Sequence, residues 1–338
     1  MAKANTGKTE KLIPASAQLN ALWKEHEEYL ESGSKDQSHR MQFPSGIPAL
    51  DKAMGKKKFT RGIVQILGDE AVGKTSLTYQ ILATAQKERQ LVELQLPDGN
   101  FYNAVFMDFE HTYDRDYART VGVDTDKLLV LEMPYAEQQF NIVEELLVAG
   151  MQMVIIDSIS NVIPLSEQEK DLEDAVKVAG EAGVIGRALK RMNALAFSSD
   201  ALVLMINQYR SNMSPMAMKE KKPYGARIMK HLVKATIELR VTERKDTRMT
   251  VEAFVSKNKM GAIGSKISYQ IEHGKGIDVD HHILMLAHDL DIVEKSGTWW
   301  YYPDRATGTF KGQGDANAVK NFPMDEIKSL VLERLSNA

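Results

Sequence analysis

The 338-residue chain contains no cysteine. Disulfide frameworks, thiol nucleophiles and cysteine-based zinc sites are thereby excluded, while the redox compartment stays open. No apolar run approaches the ~20 residues that a membrane helix needs. The lysine-containing start, MAKANTGKTEKLIP, is not followed by the apolar segment of a secretory signal. A cytoplasmic location with no membrane partner is the expectation. Charge of one sign is scarce as well: 43 Lys and Arg stand against 46 Asp and Glu, a net of −3. No whole-molecule field therefore attracts a polyanion, and any phosphate-backbone contact has to come from a local patch. Repeats and low-complexity tracts are absent. What remains, 43% hydrophobic and 26% charged residues, suits a globular protein with one large domain plus appendages. The adjacent His281 and His282 are expected to be ordinary surface or half-buried structure, not a metal site.

The most informative stretch present is GDEAVGKT, residues 68–75, which matches G-x-x-x-x-G-K-[ST] without a gap. Glycines let the backbone fold close enough for successive N–H groups to point at phosphate oxygens, and the following helix adds the positive end of its dipole. The apolar run 63–67 reads as a buried strand before the loop and 76–86 as a helix after it, the order this motif requires. Gly68, Asp69, Glu70, Ala71, Val72, Gly73, Lys74, Thr75 and Ser76 are therefore candidates for binding a nucleoside triphosphate. Lys74 is placed to reach its β- and γ-phosphates and Thr75 to ligate Mg²⁺.

Residues 1–40 read as an appendage: a polar, basic arm, then a helix with Leu19, Leu22, Trp23, His26 and Leu30 at helical spacing, then a stop at Gly33 and a polar linker. From 41 to 276, apolar runs alternate with helical segments, the signature of an α/β fold with a mostly parallel sheet. Expected strands are 63–67, 104–109, 128–131, 153–157, 201–207, 235–241, 250–256 and 267–272. Short polar connections between the last three predict an antiparallel end to the sheet. A helix near 284–291, the segment TWWYYP and a closing helix near 324–335 suggest a small C-terminal α+β domain over 277–338.

Ligands of such sheets sit beyond the carboxyl ends of strands. Asp157 closes the run MVIID, where a carboxylate can hold Mg²⁺ through water. Glu110 follows AVFMDF and is placed to orient and deprotonate an attacking water. Gln208 follows ALVLMIN, and a neutral amide there can sense a γ-phosphate without adding negative charge. Beyond it, residues 209–234 carry Arg210, Lys219, Lys221, Lys222, Arg227, Lys230 and Lys234 against Glu220. This is the local basic patch. Met213, Met216 and Met218 lie within it, flexible apolar side chains suited to meeting a partner.

These segments together resemble the bacterial RecA recombinase family, of which the chain looks like a divergent member. The resemblance runs from about residue 43 to the C-terminus, through the P-loop, FEHTYDRDYARTVGVDTDKLL, IIDSISNVIP, INQYR, VSKNKMG and FKGQGDANA. It implies a RecA-like P-loop NTPase core, ATP and Mg²⁺ as ligands, and a homo-oligomeric helical filament on single-stranded DNA. It further implies homologous pairing and strand exchange with duplex DNA, accompanied by DNA-stimulated ATP hydrolysis. By the same resemblance Glu110 is the catalytic glutamate, working with Lys74 and Gln208. Asp114 and Tyr117 contact the adenine, Lys257 and Lys259 reach the neighbouring subunit's γ-phosphate, and Arg187, Arg210 and Met213 contact DNA beside Lys221, Lys222 and Arg227.

The chain also departs from the family. KEKKPYGARIMKH replaces a threonine and glycine cluster late in the second DNA loop, and His231 stands at an interface position where the family has phenylalanine. The first DNA loop is acidic early on (Glu167, Glu169, Asp171, Glu173, Asp174), with Ala182 where a larger wedge is expected. Residues 91–101 are additional, and the sequence given stops without the acidic tail that restrains duplex access in many relatives. Two alternatives remain open at this point. A ring-forming RecA-fold helicase shares the core but completes its neighbour's site with arginine, where KNKMG offers lysines; an ATP-gated DNA-coating scaffold or mediator would need little hydrolysis.

Overall fold

The computed structural model describes residues 20, 23–25, 41–55, 58–88, 91–163, 165, 178–211 and 221–337, without the side chains of 178–182, 210, 211 and 221. The chain divides into two compact units, Met1–His39 and Arg40–Ala338. In the first, Asn20 and residues 23–25 are helical; Leu19, Leu22, His26, Leu30 and Gly33 lie outside the described residues, as does the linker.

The second unit is organised by a nine-stranded sheet. Its strands, in chain order, are β1 (Gly62–Gly68), β2 (Ala104–Asp108), β3 (Leu128–Leu131), β4 (Met153–Asp157), β5 (Leu202–Asn207), β6 (Ala235–Lys245), β7 (Arg248–Asn258), β8 (Lys266–Glu272) and β9 (Gly276–Ile277). Across the sheet they run β9-β8-β7-β6-β1-β5-β4-β2-β3. From β6 to β3 every neighbouring pair is parallel, and from β6 to β9 every pair is antiparallel. The expected antiparallel end is therefore present, and β9 adds a short strand that apolar patterning does not reveal.

Parallel strands are covered on both faces, so they read as unbroken apolar runs whose residues alternate between two cores. Val64, Ile66, Met153, Ile155, Leu202 and Leu204 enter one core, with Leu77, Ile81 and Leu82 of helix α1 (Lys74–Lys87). Ile63, Val154, Ile156, Val203 and Met205 enter the other, with Phe140 and Leu147 of α2 (Ala136–Val148) and Leu189 and Met192 of α3 (Val178–Ser198). The sheet thus delivers the carboxyl ends of β1, β2, β4 and β5 to one rim.

The additional residues before β2 form a hairpin, Leu94–Gln95 with Phe101–Tyr102. Its turn is closed by Tyr102 Oη and Asn100 N donating to Asp98, and Leu94, Leu96 and Tyr102 pack on the second core.

A third core lies C-terminal to the sheet, built on α4 (Val279–Asp289), a three-stranded sheet that includes Trp299–Tyr302, and the helices Asp315–Asn321 and Met324–Asn337. Trp300 is fully buried at its centre. His281 and His282 are buried, not surface residues: His281 faces Asp315 and His282 Nδ1 meets Ser268 O of β8 at 3.2 Å. Among the described residues no helix is long and apolar enough to cross a membrane.

Candidate functional site

The P-loop leaves β1 at Gly68, where an added Cβ would lie 2.8 Å from Leu239 O. It reaches α1 at Gly73, whose φ of 89° and position against Ile271 both exclude a side chain. The loop is thus moulded against the sheet at both of its ends. Lys74 is 7% exposed and donates to Asp69 O at 2.6 Å. Burial holds its ammonium below the usual lysine range, with Asp157 and Glu110 opposing.

Thr75 Oγ1 donates to Asp157 Oδ2 at 2.7 Å. Burial pushes the Asp157 carboxyl up to about 7, and Glu110 and Asp108 add to this while the Thr75 hydroxyl opposes it. The Thr75 hydroxyl and the Asp157 carboxyl thus lie together at the start of α1. Among the described residues no cluster of three His, Cys, Asp or Glu forms a metal cage. A hydroxyl beside one carboxylate suits Mg²⁺, a hard ion that keeps several waters and arrives with a polyphosphate.

Glu110 sits one residue beyond the buried Phe109, in a turn that Asp108 shapes. Asp108, fully buried, accepts from Glu110 N at 3.2 Å and from Tyr113 N at 2.8 Å. Glu110 Oε1 in turn accepts from Ser158 Oγ at 2.6 Å and from Gln208 Nε2 at 2.9 Å. The ends of β2, β4 and β5 thus converge on one carboxylate oxygen.

On the opposite flank Asp114 caps the helix Arg115–Val121, its Oδ1 accepting from Asp116 N and Tyr117 N. Tyr117 Oη lies 2.5 Å from Ser76 Oγ. A cavity of about 1000 Å³ joins Glu70–Ser76, Glu110, Asp114, Tyr117, Asp157 and Gln208, and the loops after β6 and β8 complete its wall. That volume accommodates a nucleotide.

The segment after Gln208 opens as a second hairpin, Tyr209–Ser211 with Lys221–Pro223. Its register sets Arg210 opposite Lys222. Asn207, fully buried, donates to Tyr224 O at 2.9 Å, and Tyr224 N donates to Gln208 O at 3.1 Å. Tyr209 Oη donates to Glu238 Oε2 at 2.9 Å. Met213, Met216, Met218, Lys219 and Glu220 lie outside the described residues, as do the acids from Glu167 to Asp174; Ala182 is helical.

Arg187 and Arg227 are both exposed. Each adjoins a close approach between α3 and α5 (Ala226–Leu232), where an added Cβ on Gly186 would lie 3.0 Å from Ile228 Cδ1. Lys257 and Lys259 do not line the cavity. They donate to Lys230 O and His231 O at 2.6 and 3.0 Å, at the C-terminal end of α5.

Sequence reasoning missed Asp108, Ser158, Asn207, Arg244, Arg248 and His273. Asp108 and Ser158 adjoin motif residues, and a polar residue at a strand end beside a singled-out acid was the available signal. Arg244, Arg248 and His273 carried none, because only sheet topology brings the ends of β6 and β8 to the P-loop.

A family model described as the RecA N-terminal domain matches residues 24–278. Protein RecA of Corynebacterium efficiens is 32% identical over 303 residues, covering 86% of this chain and 74% of that protein. Protein RecA of Heliobacterium modesticaldum is 32% identical over 307 residues, covering 87% and 84%. For Protein RecA of Francisella philomiragia the identity is 29% over 312 residues, covering 90% and 83%. A match that spans the whole nine-stranded sheet, together with relatives of this identity along most of their length, makes the chain a member of the RecA family.

Proposed function

We propose that this chain is an ATP-dependent recombinase that coats single-stranded DNA as a helical filament and pairs it with homologous duplex DNA, hydrolysing ATP as it does so. One observation carries the reading. Gln208 touches the carboxylate that faces the nucleotide cavity, and the very next residues open the basic hairpin of Arg210 and Lys222.

In this reading the P-loop N–H groups and Lys74 hold the triphosphate, Tyr117 and Asp114 bind the adenine, and Glu110 takes a proton from the attacking water. Mg²⁺, held by Thr75 and through water by Asp157, would neutralise charge on the β- and γ-phosphates. A γ-phosphate competes for the Gln208 amide, which now binds Glu110. Losing that bond moves the root of the hairpin, since Asn207 and Gln208 are both tied to Tyr224 at its far side. ATP can drive DNA binding only through such contacts, present in one state and absent in the other. Arg187, Arg210, Met213, Lys221, Lys222 and Arg227 are assigned to DNA. Lys257 and Lys259 are assigned to the neighbouring subunit's γ-phosphate; their place outside their own cavity supports a role in trans.

The test is ATPase rate with and without single-stranded DNA, followed by strand exchange and imaging with a non-hydrolysable analogue. DNA-stimulated turnover, filaments and exchange are the expected results. A closed ring that unwinds duplex overturns the reading in favour of a helicase, and filaments without exchange in favour of a scaffold.

A further inference from the structure

β6 and β7 continue past the P-loop as a hairpin turned by Asp246 and Thr247. Their register slips on the way. Val241 pairs with Val251, but the next paired residue of β6 is Glu243, opposite Thr250, so Thr242 is an extra residue in the strand. A bulge of this kind reverses the face that every later side chain takes. In unbroken register Glu243 would stand opposite Met249, on the face shared with Val251 and the P-loop. With the bulge, Arg244 stands there instead.

The Arg244 guanidinium is held on two sides, Nη2 donating to Ala71 O at 3.1 Å and Nη1 to Met249 Sδ at 3.8 Å. Ala71 is the P-loop residue that takes a positive φ, 53°, without being glycine. Such a conformation persists only where its surroundings impose it. Arg244 also lines the cavity that contains Lys74 and Thr75. A bulge has therefore exchanged an anion for a cation at the wall of a phosphate site.

We propose that Arg244 is a positioning residue of the nucleotide site, supplied by the subunit's own β6–β7 hairpin. It fixes the Ala71 carbonyl and with it the direction of the Val72 N–H, since a trans peptide carries the two on opposite sides. It also adds a permanent positive charge that favours the polyphosphate of a nucleoside triphosphate. The proposal rests on the reading of the cavity as the ATP site.

Equilibrium binding of a non-hydrolysable ATP analogue to the full chain, with DNA-stimulated turnover alongside, tests it. Arg244→Ala raises the Kd for the analogue and the KM for ATP about tenfold and leaves kcat within about twofold. Arg244→Gln, which keeps an N–H donor without the charge, falls between that variant and wild type. Exchanging the two residues, Glu243→Arg together with Arg244→Glu, faces an acid to the P-loop and raises the Kd at least as far. Glu243→Ala leaves it unchanged. Wild-type affinity in Arg244→Ala or in the exchanged variant overturns the proposal, as does a fall in kcat at constant KM. If the wild-type chain itself binds no analogue, the reading of the cavity fails, and that failure is distinct from the first.

Discussion

Gln208 and Glu110, 98 residues apart in the chain, meet at 2.9 Å, the Gln208 amide donating to Glu110 Oε1. The bond, with that from Ser158, fixes the direction of the Glu110 carboxylate. The same donor is one residue from the basic hairpin, so the bond joins the two halves of the proposed activity.

Replacing Glu110 with Gln keeps an oxygen for Ser158 and Gln208 to bind but removes the ability to accept a proton. Turnover is expected to fall about a hundredfold or more while ATP-dependent DNA binding persists. Steady-state ATPase beside a DNA-binding titration measures both, and unchanged turnover would remove Glu110 from the chemistry.

Gln208→Ala should leave the KM for ATP close to wild type and abolish the effect of ATP on DNA. The ratio of single-stranded DNA affinities with a non-hydrolysable analogue and with ADP is expected to drop about tenfold or more, toward unity. A ratio that stays at its wild-type value rejects the switch.

For Lys221 and Lys222, alanine at both positions removes two cations from the hairpin. If both meet phosphate, the slope of log affinity against log salt on single-stranded DNA should fall by about 1.4 units. An unchanged slope means that these lysines do not meet phosphate.

His282 links the third core to β8 and is 5% exposed. Burial, aided by His281, lowers its pKa from 6.5 to about 4, so the folded state favours the neutral ring. Its contribution is present in full above pH 6.5 and is lost as pH falls from there toward 4, by up to about 3 kcal/mol. Chemical denaturation across that range should show the loss. His282→Asn, with an amide near the Nδ1 position, should cost a constant amount and remove this part of the slope; a slope identical to wild type would acquit His282.

Much of the fold was legible because burial on both faces leaves a simple trace. β4 and β5 are apolar up to their closing Asp157 and Asn207, β1 is broken only by Gln65, and each was located within a residue or two. β9 was not, since two residues carry no period. The extent of β6 and β7 was also underestimated: their outer halves, from Thr242 through Thr250, are exposed or half-buried and polar but for Met249, so no apolar period marks them. At the site, the P-loop, Glu110, Asp157 and Gln208 were visible as polar residues where strands end. Their partners Ser158, Asp108 and Asn207 were not, because a side chain that satisfies another at short range looks in sequence like any small polar residue.

The sequence by itself determined that a triphosphate loop lies between a buried strand and a helix, that acids and an amide close the neighbouring strands, and that a basic segment follows. These are local facts, set by spacing and residue type. Only the tertiary structure decided that Glu110 Oε1 receives both Ser158 and Gln208, that Lys257 and Lys259 stand at the end of α5 outside their own cavity, and that Arg244 rather than Glu243 faces the P-loop. Each of these depends on strand order and on register, and one extra residue in a strand reverses every face beyond it.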